Sequence, residues 1–133
     1  MGDEIQEFAQ AIGARIPELG SEHYATFKTI FKRPNYFLLG DKFIMVKISR
    51  SDKPFWGIGK PFIDLLNNFE YFLILLVSNR EGWAFSKEEV KANIKNKKWN
   101  LRKTDNNYKI NWPLPDRNSF HSPENFLKKF INC

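Results

Sequence analysis

The chain has 133 residues with 42% hydrophobic and 16% aromatic content, which suits one packed domain and excludes a disordered segment. A net charge of +6 and a pI near 9.5 suit a polyanionic partner, and lysines interleaved with aromatics and asparagines favour nucleic acid over acidic lipid. The lone Cys133 excludes an internal disulfide or a cysteine-based metal site. The start Met1-Gly-Asp-Glu lacks the basic and apolar regions of a signal peptide, and the longest apolar run, Tyr71 to Val77, is too short to span a bilayer. The expectation is a soluble, cytoplasmic protein without a membrane partner.

Asp3 is placed to cap a helix from about Glu4 to Arg15, with Ile5, Phe8, Ala9 and Ile12 on one stripe, before Gly13 and Pro17 stop it. Glu4 and Glu7 on its flanks suit the positive end of the helix dipole. From His23 to Phe31 the chain reads as a strand rich in aromatic and β-branched residues, with a helix as the alternative.

Two β-rich runs, Tyr36 to Leu39 and Phe43 to Ile48, then flank a Gly40-Asp41 turn signal and predict a hairpin. Alternation puts Ile44, Val46 and Ile48 on one face and Phe43, Met45, Lys47 and Ser49 on the other. One face is expected to be core, and the other holds an amine. Such an amine is costly among apolar neighbours unless it is partnered or functional, although an edge strand would let it reach water.

Ser51 to Pro61 reads as a Pro/Gly-rich loop leading into a helix from about Pro61 to Asn68. Its Gly57-Ile-Gly59-Lys60 piece lacks the spacing and terminal Ser/Thr of a phosphate-binding Walker loop, leaving a plain turn or a loop that lets backbone approach DNA. Phe69 to Ser78 is continuously apolar, as expected of a central strand buried on both faces. Ser86-Lys-Glu-Glu89 is a capping box that opens a helix to about Asn96, with Val90 and Ile94 inward. Lys87, Lys91, Lys95, Lys97 and Lys98 crowd this region, as a solvated face or a polyanion contact.

A second hairpin follows, from Trp99 to Lys103 and from Tyr108 to Trp112, turning at Thr104-Asp-Asn-Asn107. Trp99, Leu101, Tyr108, Ile110 and Trp112 fall on one face, leaving Asn100, Arg102, Lys109 and Asn111 on the other. Asn pairs bidentately with adenine and Arg or Lys with guanine in a major groove that admits a two-stranded ribbon, while Lys97, Lys98 and Lys103 stand by for phosphates. An ordinary amphipathic hairpin with a wet polar face is the competing account. The tail continues as irregular loop, then Ser122-Pro-Glu opens a helix from Asn125 to Ile131. Neither His23 nor His121 has a partner at ligand spacing, which argues against zinc chemistry.

Pro34-Asn35, nine residues, then Met45-Val46-Lys47 resembles the PD-(D/E)xK signature of the restriction-endonuclease superfamily, with both acidic positions altered. The order helix, three strands, helix, strand is similar to the αβββαβ core of that superfamily. The fold class expected is therefore a mixed α/β sheet in a single domain over 1–133, carrying the basic hairpin at about 99–112. The resemblance implies catalytic positions at Lys47 (the motif lysine), Asn35 (the first acid) and Met45 (the second), with Glu7 an auxiliary ligand from the first helix. It also implies Mg²⁺ as cofactor, held by Asn35 and Glu7.

Phosphodiester hydrolysis requires charge neutralisation at phosphorus and an in-line hydroxide, and hard oxygen ligands suit Mg²⁺. Asn35 offers one neutral oxygen and Met45 none. Natural divergence and a substitution made to abolish cutting both account for that. With its short length and basic aromatic hairpin, the chain further resembles the small PD-(D/E)xK homing endonucleases encoded in cyanobacterial group I introns. That implies a site-specific double-strand DNA endonuclease acting as a homodimer or homotetramer, because one chain carries one active site and a double-strand cut needs two. The alternatives are a non-catalytic DNA-binding module on a nuclease scaffold and an RNA-binding protein that stacks bases on its aromatics. As it stands, the sequence predicts duplex binding with weak or no cleavage.

Overall fold

The computed structural model describes residues 3–16, 24–25 and 35–132. In chain order it contains α1 (Asp3–Ala11), β1 (Tyr36–Leu39), β2 (Lys42–Ile48), β3 (Phe55–Gly59), α2 (Lys60–Leu66), β4 (Tyr71–Leu76) and β5 (Gly82–Ser86). Then come α3 (Lys87–Lys95), β6 (Asn100–Arg102), β7 (Asn107–Asn111), β8 (Ser119–Phe120) and α4 (Pro123–Phe126), which runs on as a π-helical turn to Ile131. The expected mixed α/β class holds.

Five strands form an open mixed sheet in the order β1-β2-β4-β5-β8, and the remaining three form an antiparallel sheet, β3-β7-β6. In the larger sheet β2 and β4 run parallel while every other neighbouring pair is antiparallel. A parallel pair needs a crossover, here supplied by β3 and α2. The β1–β2 hairpin turns at Gly40, whose φ of +63° is cheap only for glycine. α1 stops earlier than expected, at Ala11, and the chain returns through Gly13 at φ +80° so that Arg15 and Leu38 exchange backbone hydrogen bonds of 2.8 and 2.6 Å along the β1 edge.

β4 is central, as its unbroken apolar run requires. Ile74 and Leu76 on one side join Ile44 and Val46 of β2 beneath Phe8 and Ala9 of α1, Ile12 just past its end, and the rings of Phe120 and Phe126. Phe8 lies 5.4 Å from Phe120 and 5.7 Å from Phe126, within the range of favourable aromatic pairs. On the other side Leu73 and Leu75 join Tyr36, Met45 and Phe85 beneath Trp56, Ile58, Trp99, Tyr108 and Ile110 of the smaller sheet and its flanks, with α2 and α3 contributing Ile63, Leu66 and Val90. The molecule thus stacks a helical layer, a five-stranded sheet, and a layer made of the smaller sheet and two helices. Burial pushes the Tyr36 and Tyr71 phenols well above their usual range, in keeping with this second apolar layer.

Several expectations need correction. Residues 55–59 form a strand, not a loop: Trp56 and Ile58 point into the core at period two, a pattern that the intervening glycines disguise. β5 and β8 were not anticipated. β8 has only two residues, while β5 alternates Trp83 and Phe85 with the small Gly82 and Ala84. The strand expected over 23–31 falls outside the described residues except for Tyr24 and Ala25, which are helical. No helix among the described residues is long and apolar enough to cross a membrane.

Candidate nucleic-acid interface

The β1–β2 hairpin brings the motif stretches together at the level of backbone. Tyr36 pairs with Met45, and the Val46 amide donates to the Asn35 carbonyl at 2.9 Å, so Asn35 adjoins the Met45 to Lys47 run. The side chains tell a different story. Met45 is 0% exposed and sealed between the two sheets, where neither phosphate nor water reaches it. Lys47 follows on the same face, half-buried and in register with Leu75 of β4. The face expected to carry an open site is therefore a second core.

Glu7 lies elsewhere. α1 covers the opposite face of the large sheet, and Glu7 is exposed there, its Oε1 accepting a 3.4 Å hydrogen bond from Asn79 Nδ2. Its neighbour Glu4 pairs with Arg50, just past the end of β2. The register sets the Asn35 backbone opposite Val46, one residue before Lys47 and so at a position of the opposite face, and Glu7 lies on the far helix. These residues do not fit Mg²⁺: one neutral amide oxygen, a buried thioether, an amine and a carboxylate on the far face make no hard oxygen cage. Among the described residues no group of three or more His, Cys, Asp or Glu side chains converges to hold a metal ion.

The second hairpin matches its expected pattern closely. Leu101 is half-buried, while Trp99, Tyr108 and Ile110 are buried against the large sheet, Trp99 edge-on to Phe85 at 5.0 Å. Trp112 departs from the pattern: it stands 50% exposed, past the end of β7, where its amide donates to the Pro54 carbonyl at 3.0 Å. Asn100, Arg102 and Asn111 are exposed and Lys109 half-buried on the outer side. The register aligns Gly57, Lys109 and Asn100 in one row, Gly59, Asn107 and Arg102 in the next, and Phe55 with Asn111 at the end.

Asp105, in the turn, was not singled out in the sequence. Its carboxylate pairs with Arg102 and lies 3.6 Å from Lys109 Nζ, so these two outward cations share one counter-charge. The Arg102 hydrogen bond is the main reason that its carboxyl is held down at about 2, with the Arg102 and Lys109 charges and the Asn107 amide adding to it. The signal was local: Asp105 is three residues after Arg102 and four before Lys109, the separation at which a tight turn returns a strand to its partner.

Lys97 and Lys98 follow α3, just past its cap Asn96. Lys98 N–H donates to the Asn93 carbonyl and Lys97 N–H to Ile94, a Schellman closure that puts Lys97 at φ +61°, where glycine is usual. Lys98, Asn93, Trp99, Pro113 and Arg117 wall a cleft of about 420 Å³ that opens beside Asn111. Lys103 is exposed next to Arg102. Cations therefore surround the outer face of the small sheet on two sides.

Comparison of the chain with protein-family models, with curated proteins and with solved structures finds no match in any of the three. An exposed face of asparagines and cations suits polar readout and phosphate contact.

Proposed function

We propose that this chain is a duplex-DNA-binding protein on a PD-(D/E)xK-type endonuclease scaffold of the homing kind, with a cutting centre degenerate at both acid positions. The observation that carries this reading is the register of the small sheet, which lines Asn100, Arg102, Asn107, Lys109 and Asn111 along one outward face above a buried apolar one. Those side chains are the types that hydrogen-bond base edges and phosphates, and the basic pI favours the encounter. The parallel β2–β4 step beside an antiparallel hairpin ending in Lys47 is what supports the nuclease scaffold. Two copies on one site would suit a long target.

A second reading, an active Mg²⁺-dependent endonuclease, is favoured by one observation: the hairpin pairs the Asn35 backbone with Val46, the residue before Lys47. It requires carboxylates from elsewhere. Titrating labelled duplex DNA with the protein while following anisotropy tests the primary reading. Binding should weaken steeply between about 50 and 200 mM salt. Absence of duplex binding at low salt, or preference for single-stranded RNA, overturns it. Supercoiled plasmid incubated with Mg²⁺ or Mn²⁺ separates the two readings, since only an active nuclease yields discrete ends.

A further inference from the structure

Gly57 has no packing reason to be a glycine. It lies in the middle of β3, paired with Lys109 in an extended ladder. A Cβ placed there meets Lys109 Nζ at 3.5 Å, Asn107 Nδ2 at 3.6 Å and Asn107 Cβ at 4.0 Å, all ordinary contacts with side-chain atoms. The other strand glycines differ. At Gly59 a Cβ falls 2.9 Å from the Phe62 ring, and at Gly82 it falls 2.3 Å from the Leu75 carbonyl oxygen, so neighbours exclude a side chain at both. Folding alone would favour a β-branched residue at 57, because glycine adds backbone freedom to the unfolded chain and gives up a cross-strand contact. A glycine inside a strand often marks the close approach of a ligand or another backbone.

The surroundings define what approaches. The outward positions of the three strands hold Arg102, Lys109 and three asparagines, Asn100, Asn107 and Asn111, and no carboxylate. Asp105, in the turn, is shared between Arg102 and Lys109. Over Gly57 itself an ammonium and an amide converge on the gap where a side chain would be, and Phe55, two residues back, is 52% exposed. A gap of that size, with a cation and an N–H donor at its rim, fits a phosphodiester oxygen, and an exposed ring beside it fits the apolar edge of a deoxyribose.

We propose that duplex DNA docks on the whole outer face of the β3-β7-β6 sheet, with one backbone phosphate seated over Gly57 between Lys109 Nζ and Asn107 Nδ2. The inference rests on the reading of the chain as a DNA-binding protein and extends the contact surface from the hairpin to a third strand. The phosphate displaces Asp105 as the partner of Lys109, and Phe55 packs against the adjoining sugar. Register and depth on the duplex are then set by β3, while Asn100, Arg102 and Asn111 remain turned toward base edges.

The test uses the full chain and a labelled random-sequence duplex at low salt. Gly57→Val should weaken binding about tenfold, a difference of about 1.4 kcal/mol, and lower the salt slope by about 0.9, the value of one lost phosphate contact. Its melting temperature should stay the same or rise, because valine is the better strand former. If Gly57→Val fails to fold, Gly57→Ala, whose Cβ meets only ordinary contacts, carries the test with a smaller loss of the same sign. Phe55→Ser, at an exposed position, should weaken binding a few-fold. Wild-type affinity and salt slope in the folded Gly57 variants overturn the docking while leaving the DNA-binding reading intact. A wild-type chain that ignores duplex DNA, or that prefers single-stranded RNA, overturns both.

Discussion

Buried Asn118 meets half-buried Glu89, its Nδ2 donating to Glu89 Oε2 at 2.8 Å and also to the Ala84 carbonyl at 2.9 Å. The other Glu89 oxygen accepts from the Ser86 amide at 2.9 Å, closing the capping box of α3. One carboxylate therefore ties the start of α3 to the loop that delivers β8 to the sheet edge. Asn118→Ala should cost about 1–3 kcal/mol by denaturant titration, since it strands the buried Ala84 carbonyl and removes a hydrogen bond to half-buried Glu89. The loss falls short of a full network because Asn118 Oδ1 is buried with no hydrogen-bond partner among the described residues.

Asn118→Asp adds a sign to that experiment. A second carboxylate against Glu89 has its folded-state pKa raised by like charge, so its contribution is intact below the unfolded value of about 4 and is lost as pH rises through the folded one. The variant should be less stable than Asn118→Ala at pH 7 and recover toward it near pH 4. Equal stability of the two variants at both pH values would exclude the carboxylate pair.

Gly82 faces the opposite demand from Gly57. Its Cβ would lie 2.3 Å from the Leu75 carbonyl oxygen, a backbone atom of the central strand that has nowhere to retreat. Gly82→Ala should destabilise by about 3 kcal/mol or more, or leave the protein insoluble. Circular dichroism melts of the two variants side by side make the contrast: loss at 82, none at 57.

Asp105 holds its carboxyl at about 2 through Arg102, so the pair's contribution to stability is present above the unfolded carboxylate value of about 4 and disappears as pH falls through about 2. The pair is exposed, so that contribution is small. Asp105→Asn should leave the melting temperature near that of the parent at pH 7 and merge with it by pH 2. The larger effect is on binding: with Arg102 and Lys109 released, affinity for duplex DNA at low salt should rise a few-fold. A fall would mean that Asp105 orients the two cations for contact.

Lys97 holds the left-handed position that ends α3, at φ +61°. Lys97→Gly should stabilise the fold by about 0.5–1 kcal/mol, relieving a conformation that costs a β-carbon-bearing residue about that much. If Lys97 touches phosphate, the same variant loses affinity for duplex DNA while gaining stability, which pairing of a melt with a titration would reveal.

Restoring acids at the motif positions tests the nuclease scaffold directly. Met45 is 0% exposed within an apolar layer, so Met45→Glu with Asn35→Asp should destabilise the metal-free protein by several kcal/mol. Because residue 45 is sealed from phosphate and water, Mg²⁺ should restore none of that loss and plasmid cutting should stay at the parent's level. Rescue by Mg²⁺ with cutting above the parent would show that this face opens to a metal and would support the motif alignment.

Local pattern was enough for much of this molecule. The Tyr36 to Ile48 hairpin, the buried run of β4, the Ser86/Glu89 capping box and the alternation of the second hairpin all follow from spacing and turn chemistry over a few residues. The outward set Asn100, Arg102, Lys109 and Asn111 was legible because a strand inverts its side chains at every step. Charge balance and the basic stretch after α3 were equally open to inspection.

Tertiary structure decided the rest, because it depends on which surfaces meet. Residues 55–59 read as loop until β7 supplies a partner edge, and β8 is too short to be seen without β5 beside it. Both faces of β2 are core because a second sheet closes over Met45, and Glu7 sits apart from Lys47 because α1 packs on the other side. Alternation tells which residues share a face. Only burial against the rest of the chain tells whether that face meets water, another sheet or a partner.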